Sequence, residues 1–111
     1  MDNASRLALL KANIGAIGST LYDDLLNSLL TSAKSMIERE GIALDLDETE
    51  DNNLIVGYAT WLFQQREQPD MQMPRWLRYN LNNKVLQQKA VRRMTLNRQA
   101  NYKSIKNILR R

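Results

Sequence analysis

The residues best equipped for chemistry in this chain are acids. Asp45, Asp47, Thr49 and Asp51 alternate as oxygen donors, in the manner of the opening of a calcium loop. Such a loop requires glycine at its sixth position and glutamate at its twelfth, which here are Glu50 and Val56. The row therefore reads as a solvated acidic loop leading into a helix, where acids offset the free N–H groups. Asp23 and Asp24 form a second carboxylate pair. Adjacent helical residues point about 100° apart, so the two do not converge, and a place in a first helical turn accounts for both. The chain has no histidine and no cysteine, which removes the commonest general base and thiolate chemistry, disulfides included. Carboxylate and lysine chemistry stay formally open, but enzymatic activity is not expected, and no cofactor or metal is implied.

The stronger chemical signal is the distribution of charge. Residues 1–74 carry five cations against all twelve acids, a net of −7. Residues 75–111 carry eleven cations and no acid, a net of +11. Arg75, Arg78, Lys84, Lys89, Arg92, Arg93, Arg98, Lys103, Lys106, Arg110 and Arg111 could neutralise phosphates. The same cations could dock on the acidic surface of another protein chain. A merely solvated face normally mixes signs, and here 37 residues hold no acid. Few aromatics stand among them, so base stacking has little support, and no spacing matches a DNA-reading motif. Trp76, between Arg75 and Arg78, is either a core residue or an interface anchor.

Helices must position these groups. Apolar residues at 21, 22, 25, 26, 29, 30, 33, 36 and 37 recur at helical spacing and predict a long helix over Leu21–Gly41. Ser19 and Thr20 are its expected caps and Gly41 its expected stop. Leu26, Leu29, Leu30, Ala33 and Ile37 are its expected buried residues. Before it, residues 4–14 predict a short helix capped by Asn3, with Leu7, Leu10 and Ile14 inward. Residues 42–50 predict a short extended segment or an ordered loop that pins Ile42, Leu44 and Leu46 to the core. Residues 51–67 predict the most central helix, capped by Asp51 or Asn52, with Gly57 admitting close approach of the long helix. Pro74 predicts a further helix to about Ala90, with Leu77, Leu81, Val85 and Leu86 inward. The expectation is an all-α fold: a helical domain over 1–90 around one long central helix, with 91–111 as a basic C-terminal arm or helix. The arm carries Tyr102, Ile105, Ile108 and Leu109 at helical spacing. It is either a further amphipathic helix or a segment that orders on a partner. No apolar run approaches the ~20 residues of a membrane span. The N-terminus lacks the pattern of a signal peptide, so a cytosolic origin and no membrane partner are expected.

The pattern Asp23-x-x-Leu26-x-x-Leu29-Leu30-x-x-Ala33-x-x-x-Ile37-Glu38-x-x-Gly41 resembles the head–tail connector (adaptor, or head-completion) proteins of tailed bacteriophages. The preceding LLKANIG, Leu9 to Gly15, looks like the short leucine–lysine helix that opens those sequences. The run Leu54 to Arg66, with Tyr58-Ala59, Leu62 and Arg66, then Met73-Pro74, is similar to that family's second half. The resemblance covers residues 5–86, and the basic tail lies outside it. It implies a small helical domain made in the bacterial cytoplasm and placed in the virion at the head–tail interface. It further implies homo-oligomeric rings of about a dozen copies. Those rings sit between the portal protein and the stopper or tail-completion protein, with genomic DNA passing through the channel without sequence-specific binding. The family has no catalytic residues to carry over.

Two sets of site residues follow as expectations. Arg75, Trp76, Arg78, Arg92, Arg93, Arg98, Tyr102, Lys103, Lys106, Arg110 and Arg111 are expected to meet a partner. Asp45, Asp47, Glu48, Glu50 and Asp51 are expected to lie exposed on a ring surface or channel wall. The competing reading is a small nucleic-acid-binding protein that uses the same basic tail.

Overall fold

Apolar spacings of three and four residues resolve into four α-helices in the computed structural model, which describes the backbone of residues 1–109 and the side chains of residues 1–99. They are α1 (Asn3–Ile14), α2 (Asp23–Arg39), α3 (Thr49–Glu67) and α4 (Arg75–Leu109). No strand occurs among the described residues. The fold is all-α, as expected.

Helix α3 packs against each of the other three. That explains why it is apolar nearly all round: every residue from Leu54 to Ala59 is buried. Helix α2 contributes one stripe, Leu26, Leu30, Ala33 and Ile37, spaced four, three and four, with Leu29 half-buried beside it. Leu10 of α1 and Leu77 and Leu81 of α4 close the core. Each buried leucine is worth about 1.5–3 kcal/mol of transfer free energy, which sets these positions apart from the rest of the surface. Residues 42–48 form an ordered loop, not a strand, with Ile42 buried and Leu44 and Leu46 packed against the core.

Helix starts depart from the sequence reading, by a shifted side-chain cap at α1 and by uncapped backbone turns at α2 and α3. Asp2, not Asn3, caps α1, its carboxylate accepting the Ser5 N–H at 2.8 Å. That bond holds the Asp2 pKa below the usual aspartate value. Helix α2 starts later than Ser19 and Thr20 would place it. Two turns precede it, in which Ser19 N–H donates to Ala16 O and Asp23 N–H to Thr20 O. Tyr22 takes the cap position without a side-chain bond, and the first-turn acids Asp23 and Asp24 face the dipole instead. Leu21 and Tyr22 consequently stay outside, 78% and 48% exposed. Gly41 does end α2, in the left-handed conformation at φ +93°. Helix α3 begins after Glu48, so Asp51 and Asn52 lie inside its first turn and do not cap it.

Gly57 also serves a different neighbour from the one expected. A Cβ at this position would collide with the Trp76 ring of α4, not with α2. Leu86, expected inward, is 62% exposed because it lies on the face of α4 opposite the row Leu77, Leu81, Lys84 and Gln88 that meets the body. Helix α4 is the longest element, 35 residues, and crosses the expected boundary at 90–91 without a break. From Lys89 to Gln99 every residue is exposed. Among the described residues, no helix is long and apolar enough to cross a membrane.

Candidate interaction surface

Helix α4 joins the body through three polar contacts laid beside its leucines. Arg78 pairs with Glu40 at the end of α2, Nη1 to Oε1 at 2.5 Å. Lys84 pairs with Asp51 of α3 at 2.6 Å, and Asp51 is 1% exposed. One turn further, Gln88 clamps the backbone of Ala43: its Nε2 donates to Ala43 O, and its Oε1 accepts the Ala43 N–H, both at 2.9 Å.

The Asp51–Lys84 pair is the centre of a polar knot. The second Asp51 oxygen accepts the Asp45 N–H at 2.7 Å. Asn52 Nδ2 donates to Leu46 O and Glu48 O, each at 2.8 Å, while its oxygen accepts from Arg6 at 2.9 Å. These bonds satisfy side chains that would otherwise be costly to bury. The hydrogen bond that Lys84 donates to Asp51 raises the Lys84 pKa above the ordinary lysine value, and the charges of Asp51, Glu50 and Glu48 add to it. The expectation that Asp51 lies on an exposed acidic surface is thus corrected. Its carboxylate faces inward because it is the counter-ion of the one cation in α4's inward row. Asp45, Asp47, Glu48 and Glu50 are exposed, as expected. The signal for the knot was present in the chain: Lys84 stands three residues after Leu81 and seven after Leu77, where a cation requires a buried partner.

The basic residues divide accordingly. Lys84 and Arg78 are spent on the body. Arg75 is exposed at the start of α4, and Trp76 is half-exposed, its ring over Gly57. One face of Trp76 is packed and the rest is open, so it is not a buried core residue. Lys89, Arg92, Arg93 and Arg98 project with the free length of α4, exposed and without an acidic partner among the described residues. Tyr102, Lys103 and Lys106 stand on the helical backbone of α4, and their side chains lie outside the described residues. Arg110 and Arg111 lie outside them altogether. The structure thus separates Arg78, Arg75 and Trp76, beside the body, from Arg92, Arg93 and Arg98, beyond it.

An open groove of about 440 Å³ runs between the Ala43 loop and α4, lined by Lys84, Gln87, Gln88, Val91 and Arg92. It brings no set of titratable groups into the geometry of a proton relay or nucleophile. No family model, curated protein or solved structure matches the chain.

Proposed function

We propose that this chain is a non-catalytic structural protein of a phage virion, a head–tail connector that forms a ring beneath the portal and joins the DNA-filled head to the stopper or tail. The supporting observation is the placement of charge: an acidic body and an unshared basic stretch of helix belong to one chain and point to different places. A ring needs a heterologous interface, one patch meeting a different patch on the next copy, and opposite charges at two ends of a subunit suit that closure. The resemblance of residues 5–86 to connector proteins supplies the biological setting. On this reading residues 91–111 reach a neighbouring subunit or the portal.

Electron microscopy and native mass spectrometry of the protein mixed with portal rings test the reading. Rings are expected at low salt, with loss of assembly towards 1 M salt, where the screening length is about 3 Å. Deleting residues 92–111 is expected to abolish them. Assembly that is indifferent to both would overturn the role given to the basic helix.

The exposed cations Lys89, Arg92, Arg93 and Arg98 favour the second reading, a nucleic-acid binder. It requires duplex affinity that falls steeply with salt, together with no oligomer at any concentration.

A further inference from the structure

The free stretch of α4 is not uniformly basic. Val91 and Met94 lie three residues apart on one stripe and are 64% and 57% exposed. Arg98 continues that stripe, and by sequence spacing the register runs on through 102, 105 and 109, which are Tyr, Ile and Leu. Lys89, Arg92 and Arg93 flank it. An apolar stripe bordered by cations calls for a surface that is apolar and rimmed by acids. A second α4 is the wrong partner, because like charges would face each other.

Candidate receptors on the body include three surfaces. The acidic loop has charge, but its apolar side chains Ile42, Leu44 and Leu46 are turned into its own core. Trp76 and Tyr79 are exposed, but they stand among Arg75 and Arg78, the same sign as the helix. The turn before α2 combines apolar exposure with nearby acids. There Ile17 and Leu21 are each 78% exposed, and Tyr22 shares a shallow cavity of about 240 Å³ with Phe63, Arg66 and Glu67 at the end of α3. Asp24 in the first turn of α2, Glu67 at the end of α3 and Asp70 in the loop after it are exposed and have no ion pair among the described residues. In the cavity itself Arg66 stands beside Glu67, and Asp24 and Asp70 add acid to the segments that flank it in sequence.

We infer that the Ile17–Leu21–Tyr22 end of one copy is the receptor for the Val91–Met94 stripe of α4 from the next copy. The contact is head-to-tail, apolar at its centre and ionic at its rim. It rests on the homo-oligomeric reading above and deepens it by naming both halves of the joint.

The chain has no cysteine, so single thiols report the contact cleanly. Leu21→Cys and Met94→Cys, both at exposed positions, are mixed with portal rings and treated with a short bis-maleimide. A heterotypic crosslinked dimer is expected, with little product from either variant alone. Adding Asp24→Lys and Glu67→Lys to the Leu21→Cys copy is expected to lower the yield by about tenfold, and Arg92→Glu with Arg98→Glu on the other copy to restore it. Rings that form without the heterotypic crosslink would sink the receptor assignment while leaving the connector reading intact. Absence of both rings and crosslinks, with Met94→Cys protected from maleimide by duplex DNA, would end both in favour of nucleic-acid binding. Crosslinks in open chains without closed rings keep the receptor and count against the ring.

Discussion

Helix α4 is one element with two fates. Through Gln88 it leans on the body by Leu77, Leu81 and half-buried Val85, with Arg78, Lys84 and Gln88 each matched to a group on another segment. Beyond Gln88 the cations have no acidic partner among the described residues, and the apolar side chains Val91, Met94 and Leu96 are open to water. Backbone geometry is the same in both halves. What differs is how the side chains are satisfied: the first half by the chain itself, the second only by something else. The charges of Arg78 and Lys84 in the first half are therefore structural, whereas those of the second half are available for binding. The total charge cannot make that distinction.

The sharpest way to break the contrast is at the ion pair. Lys84→Ala leaves Asp51 buried without a counter-ion and is expected to cost about 3–5 kcal/mol in chemical denaturation, whereas Arg93→Ala on the free half costs under about 0.5 kcal/mol. Equal costs would mean that the two halves are not distinct. Next comes the core. Leu54→Ala is expected to destabilise by about 2–5 kcal/mol, while Leu96→Ala leaves the midpoint nearly unchanged.

Gly57 sharpens the picture at the body end of α4. Gly57→Ala must push the Trp76 ring aside and is expected to lose about 1 kcal/mol or more with a change in tryptophan emission. In a Trp76→Ala background the same substitution should stabilise by up to about 1 kcal/mol, because alanine is the better helix former. The sign reversal is the readout, and its absence would remove Trp76 as the reason for the glycine.

The smallest effect is on pH. Lys84 has its folded pKa raised above the ordinary 10.5 by Asp51, and Tyr58 has its own raised above 10.0 by burial, then by the Glu40 charge. A raised folded pKa contributes stability that is complete below the unfolded value and fades as pH climbs through the folded one. Stability is expected to be flat towards neutral pH and to fall above about pH 10, and the Lys84→Met, Asp51→Asn double variant should fall less steeply.

Much of this molecule was legible in its residues. The stripe at Leu26, Leu30, Ala33 and Ile37, the all-round burial of α3, the left-handed Gly41 and the segregation of charge follow from period, propensity and count. Such features depend on residues close in sequence or on totals, so they survive any choice of neighbour. The partner of each polar side chain did not follow, because it is set by which helices meet. Asp51 reads as one more acid in an exposed row until α4 brings Lys84 to it. Asp51 and Asn52 read as caps until the turn at Glu48 starts α3 earlier. Gly57 reads as a contact for α2 until Trp76 covers it. Leu86 reads as inward until the face of Leu77, Leu81 and Lys84 is the one turned to the body. Spacing thus determined which faces are apolar and where the charge lies. Packing alone decided which of those faces and charges the chain uses on itself, because that depends on distances between segments some 30 to 45 residues apart, such as Arg78 and Glu40 or Gln88 and Ala43.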